Sequence, residues 1–134
     1  MAVVRHESRA IRTSDDVVAI RHLARDWAIE LGFSLVDQTK LVTAASELAR
    51  NVVTYAKAGQ VRIESLNDGP KRGLRLIFED EGPGIADIEK ALRDGFSTGG
   101  GLGLGLGGAK RLCNEFAIDT APGRGTKVTI ARWK

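Results

Sequence analysis

One cysteine, three prolines and two histidines are all the chain holds of these residues in 134 positions, and aromatic residues make up only 5%. The single Cys113 excludes an internal disulfide. With no charged-then-apolar leader at the start, it leads to the expectation of a reducing, cytoplasmic setting. No apolar run approaches the ~18 residues of a transmembrane helix, so no membrane partner is expected. His6 and His22 stand alone, without His, Cys or carboxylate neighbours at metal-ligand spacing. That leaves a protein-built metal cage and a Ser-His-Asp hydrolase without material. Charge of one sign is also missing as a block: 20 basic and 17 acidic residues are scattered to a net +3, so no nucleic-acid partner is expected.

What the chain does have is a composition of 43% hydrophobic and 28% charged residues, which with this length implies one globular domain spanning 1–134. A chain of that size buries about two thirds of its unfolded surface, enough for a two-layer core without staples. Glycine is the outlier, with 16 residues. Ten of them fall between Gly82 and Gly108, and seven of the ten positions from 99 to 108 are glycine. An apolar-periodic segment and a last strand pattern follow at once, so the run lies inside the domain and is not a linker.

The pattern along the chain predicts an edge strand over Val3 to Ile11 and then two tandem helices. Ser14, Asp15 and Asp16 supply the cap and acidic first turn of the first, over about 15–31. Val17, Ile20, Leu23, Ala24, Trp27, Ile29 and Leu31 recur along it until Gly32. Ser34 caps the second, whose inward stripe is Leu35, Leu41, Ala45, Leu48, Val52 and Tyr55, with Gly59 beyond its end. Period two then takes over. Val61 to Ser65 and Leu74 to Phe78 form a hairpin around Asn67-Asp68-Gly69-Pro70, a short helix is predicted over Asp87 to Arg93 and another over Leu106 to Phe116. Ala117 to Thr120 and Thr126 to Trp133 close the chain as a hairpin. The simplest burial of these stripes is an α+β two-layer sandwich, with helices on one face of a mixed, mostly antiparallel sheet of four to five strands.

Three sets of residues carry chemistry. Glu47 and Asn51 lie four apart on the second helix and so point the same way, with roughly 5 to 6 Å between their Cβ atoms. A solvated helix pair has that spacing too, but these two border the stripe through Leu48 and Val52, where an edge position can line a cleft. Asp80 ends a strand and runs into Glu81-Gly82-Pro83-Gly84-Ile85. A carboxylate there, beside backbone that a ligand can approach closely, can accept a hydrogen bond from an exocyclic amine such as adenine N6, although turn residues alone would read the same. The glycine run opens a helix, the usual setting for cradling phosphates. Gly103-x-Gly105-x-x-Gly108 has the form of a dinucleotide fingerprint, but no buried strand precedes it and no acidic residue lies about 20 positions on. The phosphate-binding loop ending in Lys-Ser/Thr and the ordinary protein-kinase motifs are absent as well.

Taken in order, Glu47-Leu48-Ala49-Arg50-Asn51, Asp80-Glu81-Gly82-Pro83-Gly84, Gly101-Leu102-Gly103-Leu104-Gly105 and Gly125-Thr126 resemble the N box and three glycine boxes of the Bergerat-fold (GHKL) ATPases. That superfamily includes gyrase, Hsp90, MutL and the catalytic domains of histidine kinases. With Asp94-Gly95-Phe96-Ser97-Thr98 and the stretch from Gly101 to Leu112, the chain is most similar to the single-domain anti-sigma-factor kinases, in particular the RsbT-type stressosome switch kinases. It has no dimerisation helices or phosphoacceptor histidine box of a sensor kinase.

The resemblance implies a Mg-ATP-dependent serine/threonine kinase that phosphorylates STAS-domain scaffold and antagonist proteins, is released, and then binds and activates a phosphatase leading to sigma-factor activation. The alternatives it leaves are a kinase that sequesters a sigma factor directly and a nucleotide-gated binding switch without phosphotransfer. By the same resemblance Glu47 is the general base and Asn51 holds Mg²⁺. Asp80 receives the adenine amine beside Gly82, Gly84 and Ile85, and Thr126 supports that contact, directly or through water. Gly101, Leu102, Gly103, Leu104 and Gly105 face the phosphates, and Ala86 to Thr98 forms a lid, with Thr98 at the nucleotide. Arg50, Lys110 and Arg111 are the charge neighbours.

Overall fold

The computed structural model describes residues 1–85, 92 and 105–134. Helix α1 (Ser14–Glu30) starts one residue earlier than its cap motif suggests, because Thr13 and not Ser14 is the cap. Thr13 Oγ1 accepts from the Asp16 N–H at 3.4 Å, while Asp16 Oδ2 accepts from the N–H groups of Thr13 (3.1 Å) and Arg12 (2.8 Å), a reciprocal capping box. Those N–H groups also hold the Asp16 carboxyl below its ordinary pKa. Helix α2 (Leu35–Asn51) is capped by Ser34, whose Oγ accepts from the Asp37 N–H.

The two helices bury Val17, Ile20, Ala24, Trp27 and Ala28 of α1 together with Leu41, Val42, Ala45, Leu48 and Ala49 of α2. Three residues assigned to these stripes do not belong there: Ile29 is 54%, Leu35 71% and Tyr55 45% exposed. Ile29 follows Trp27 by two positions, half a turn round the helix, and Leu35 sits in the first turn of α2. Tyr55 falls in a π-helical turn, Val52–Ala56, that continues α2. Its wider i→i+5 winding carries later residues out of the 3.6 period.

Strands β1 (Ala2–Ile11), β2 (Gly59–Asp68), β3 (Lys71–Asp80), β4 (Glu115–Ala121) and β5 (Gly125–Trp133) form one sheet in the order β1-β2-β3-β5-β4. All four pairings are antiparallel. A two-residue turn at Gly69-Pro70, with Gly69 at φ +60°, joins β2 to β3. Helix α3 (Gly105–Leu112) is shorter than its apolar pattern predicts. The chain is pulled into the sheet at once: Asn114 N–H donates to Ala131 O at 2.9 Å, and Phe116, expected on the helix, lies on β4 opposite Ile130. The helix predicted over Asp87 to Arg93 lies outside the described residues except for Leu92.

Register stacks the core-facing side chains in rows across the strands. Ile63, Leu76, Ile130 and Phe116 form one row, and Val61, Phe78, Val128 and Ile118 the next. The helices cover this face. At one end Arg132 fastens them down: Nη1 donates to Leu112 O (2.7 Å) at the end of α3, and Nη2 donates to Asp37 Oδ1 (2.5 Å) in the first turn of α2. The opposite face mixes charged side chains with Leu66, Ile77 and Trp133. On it Glu64 accepts from Arg62 Nε (2.9 Å) and Arg75 Nε (2.6 Å). Burial pushes the Glu64 carboxyl up, but the two arginines outweigh it and leave it below its ordinary pKa.

Candidate functional site

The rows of the core do not stop at the apolar residues. Two positions further along the same strands, the same face carries Gly59, Asp80, Thr126 and Thr120, which are paired partners across β2, β3, β5 and β4. Period two therefore turns a row of valine, phenylalanine and isoleucine into a row of glycine, carboxylate and two hydroxyls at the end of the sheet. Asp80, Thr126 and Thr120 are each partly exposed, so this polar row opens outward.

Glycine lets other backbone segments close on that row. Gly125, at φ +85°, places its Cα where an added Cβ would stand 2.2 Å from Asp80 O. Gly84, at φ +76°, has Ala121 O only 2.0 Å from the same point. No side chain fits at either, and both conformations favour glycine. The loop after β3 is thus pressed onto the β4–β5 hairpin. Gly123 N–H donates to Pro83 O at 2.7 Å, and Gly82 N–H donates to Asp80 Oδ1 at 2.9 Å, which orients the carboxyl group.

The end of α2 reaches the same place through its π turn. Val52 packs over Gly59, and Ala56 stands against Gly82, where a Cβ would come within 2.7 Å of the alanine methyl. Asn51 is the last residue of α2, partly exposed just before the turn. Glu47, one helical turn back, is 3% exposed and so lies inside the packed face rather than at its edge. A buried carboxylate is costly unless it is paired or hydrogen-bonded. Lys57, which ends the π turn, is the one described non-glycine residue at positive φ (+68°).

Asp80, Gly82, Gly84, Ile85 and Thr126 are therefore brought together. Glu47 and Asn51 share the helix that ends over them, and Gly105, buried at φ +55°, starts α3, which packs on α2. Thr98, Gly101, Leu102, Gly103 and Leu104, and the lid assigned to Ala86 to Thr98 apart from Leu92, lie outside the described residues. Lys110 and Arg111 are exposed in the last turn of α3. Arg50 turns instead toward a groove of about 350 Å³ shared with Ser14, Val17, Arg21 and Thr54. Among the described residues no group of three or more His, Cys, Asp or Glu could hold a metal ion by itself. None of their helices is long and apolar enough to cross a membrane.

Sequence reasoning missed Thr120. Its Oγ1 accepts from Ile85 N–H (3.0 Å), donates to Gly125 O (2.9 Å) and stands 2.9 Å from Thr126 Oγ1, so one hydroxyl ties the loop after β3 to the β4–β5 turn. The alternation Phe116, Ile118, Thr120 would have placed it on the core face had β4 been started at Glu115.

Chemically, this arrangement sets a partly exposed acceptor carboxylate and two hydroxyls at the end of the sheet, beside backbone without side chains. It suits a flat ring bearing an N–H donor. Residues 36–134 match the family described as histidine kinase-, DNA gyrase B- and HSP90-like ATPase. The chain is 53% identical over 123 residues to the serine/threonine-protein kinase RsbT of Bacillus subtilis, covering 92% of each. It is 29% identical over 119 residues to an anti-sigma F factor of Thermoanaerobacter, covering 84% of this chain and 82% of that one.

Among solved structures, the RsbU and RsbW domains of a Mycobacterium tuberculosis protein superpose with a TM-score of 0.63 at 23% identity, over 94% of this chain and 32% of that one. The mycobacterial sensor histidine kinase MprB gives 0.54 at 18% identity, over 96% and 97%. Both likenesses concern the fold: helices packed on one face of an antiparallel sheet. The chain belongs to the GHKL family of histidine kinase-, gyrase- and HSP90-like ATPases, and within it is closely related to the RsbT-type anti-sigma-factor kinases.

Proposed function

We infer that the chain is a Mg-ATP-dependent serine/threonine kinase acting as one domain in a cytoplasmic partner-switching stress pathway. The observation that carries this is the 53% identity to a named serine/threonine-protein kinase across 92% of both chains. The residues fit the nucleotide. Asp80, oriented by the Gly82 N–H, offers a carboxylate to the adenine amine, and Gly82, Gly84 and Gly125 let the surrounding backbone close tightly around it, where a Cβ would collide with Ala56, Ala121 and Asp80. Ile85 and Thr126 complete the base end. Thr98 belongs to the lid, and Gly101, Leu102, Gly103, Leu104 and Gly105 present amides to the phosphates.

Asn51 offers one hard oxygen, the donor type that suits Mg²⁺, which takes few protein ligands alongside phosphates and water. When bound, the ion offsets phosphate charge. Glu47 accepts the proton of the acceptor serine or threonine hydroxyl. The hydroxyl oxygen then bonds to the γ-phosphorus while the bond to the β–γ bridging oxygen breaks, leaving phosphoprotein and ADP.

The acceptors are STAS-domain scaffold and antagonist proteins, and the partner after release is a phosphatase upstream of a sigma factor. The 29% identity to an anti-sigma F factor favours a second reading, direct sigma-factor binding. Intact mass of a purified STAS-domain protein incubated with Mg-ATP and this chain tests the first. The expected result is addition of one phosphate on serine or threonine, slowed about 10²- to 10⁴-fold in Glu47→Gln while ATP affinity stays within a few-fold. Asn51→Ala should instead weaken Mg-dependent nucleotide binding. Equal loss in both variants contradicts the assigned roles. No transfer, with a sigma factor captured in the presence of ATP, moves the function to the second reading.

A further inference from the structure

We propose that Thr120 sets the hydrogen-bond polarity of the base-binding end, making Thr126 a pure acceptor so that the site takes a 6-amino purine in preference to a 6-oxo purine. This rests on the nucleotide reading of the site. It follows from counting protons. A hydroxyl has one proton to donate and two lone pairs to accept with. Thr120 Oγ1 is 2.9 Å from Gly125 O, and a carbonyl oxygen cannot donate, so the Thr120 proton goes there. Thr120 also takes the Ile85 N–H at 3.0 Å. Its 2.9 Å contact with Thr126 Oγ1 can then be made only with the proton of Thr126. Thr120 is saturated, and Thr126 has no proton left for a ligand.

Thr126 is the cross-strand partner of Asp80 on the same face of the sheet. An ionised carboxylate is likewise acceptor-only, and Asp80 is turned by the Gly82 N–H at its Oδ1. Both side chains at this end therefore offer lone pairs and nothing else. The exocyclic amine of adenine brings two N–H groups to such a pair. A 6-oxo purine presents a carbonyl oxygen in its place and leaves acceptor facing acceptor, the kind of mismatch by which hydrogen-bonding sites discriminate most strongly. Thr120 touches no part of the base in this arrangement. It is a positioning residue, acting through the proton of Thr126.

Calorimetric titration of the full chain with Mg-ATP and Mg-ITP reads this directly, because ITP differs from ATP in carrying oxygen and N1–H where adenine has an amine and a bare N1. The wild type should bind ATP at least tenfold more tightly. Thr120→Val frees the Thr126 proton to meet the 6-oxo group, so the ATP:ITP ratio should narrow about tenfold, chiefly through tighter ITP binding. Thr120→Ser keeps the hydroxyl and should keep the ratio. A merely structural role for Thr120 would weaken both nucleotides in proportion, and that result overturns the proposal, as does a wild type that binds ATP and ITP equally. If Thr120→Val does not fold by circular dichroism, Thr126→Val decides, and an unchanged ratio there is equally contrary. A folded wild type that binds neither nucleotide removes the nucleotide reading itself.

Discussion

At the scale of single residues, the site is made by what glycine permits. Gly84 combines φ +76° with a carbonyl oxygen 2.0 Å from where a Cβ would stand. Gly84→Ala should therefore cost more than about 2 kcal/mol in chemical denaturation, well above an ordinary surface change. Lys57 is the opposite case. It holds a positive φ that costs an L-residue of order 1–3 kcal/mol, while glycine gives back roughly 0.5–1 through the unfolded chain. Lys57→Gly should raise stability by about 0.5–2 kcal/mol, and a loss of stability would mean that the lysine side chain makes up for its backbone.

Cys113 is a third residue with a measurable signature: burial pushes its thiol up to about 11 from 9.0. Its alkylation at pH 8 should be roughly a hundredfold slower in the folded chain than in denaturant. Stability should hold below pH 9, where the unfolded thiol begins to ionise, and decline as pH rises toward 11. Asp80 was legible as a strand-end carboxylate because period two and the following Gly-Pro-Gly mark it. Thr120 was not, since its importance lies in two oxygens and one N–H brought from distant parts of the chain.

At the scale of elements, the helices were readable from their stripes and caps, and the errors cluster at their ends. Thr13 displaced Ser14 as cap because the Asp16 carboxylate reaches back to its N–H, a reciprocal bond that spacing alone leaves ambiguous. The end of α2 departs from its stripe for a different reason. Its π turn packs against Gly59 at the start of β2 and against Gly82 in the loop after β3, and the second of these contacts comes from far along the chain. Arg132 was also invisible as a fastening, for one end of its guanidinium serves α2 and the other α3.

That clamp carries a pH dependence. The hydrogen bond from Arg132 holds the Asp37 carboxyl below its ordinary value of 3.8. The bridge therefore contributes fully above about pH 4 and is lost as pH falls through the lower folded value. Urea midpoints followed from pH 6 down to pH 3 should fall more steeply in the wild type than in Arg132→Met. Parallel curves would show that the bridge contributes nothing measurable.

At the scale of the whole molecule, the sheet converts sequence register into a site. The order β1-β2-β3-β5-β4 puts the ends of β3 and β5 side by side, so Asp80 and Thr126, 46 positions apart, become cross-strand partners. Each strand could be read from its own alternation. The order of strands could not, because nothing local in β5 says that it pairs between β3 and β4. The α+β sandwich was accordingly predictable as a class, and the meeting of the four-residue polar row was not.

On the proposed function, this row under the end of α2 receives the nucleotide. That is tested most directly by following backbone amide resonances while Mg-ATP is added to the isotopically labelled chain. The largest shifts should fall on Gly82, Gly84, Ile85, Thr120, Gly125 and Thr126, with Arg62, Glu64 and Arg75 on the opposite face unmoved. Shifts concentrated on that opposite face, or none at saturating nucleotide, would contradict the account.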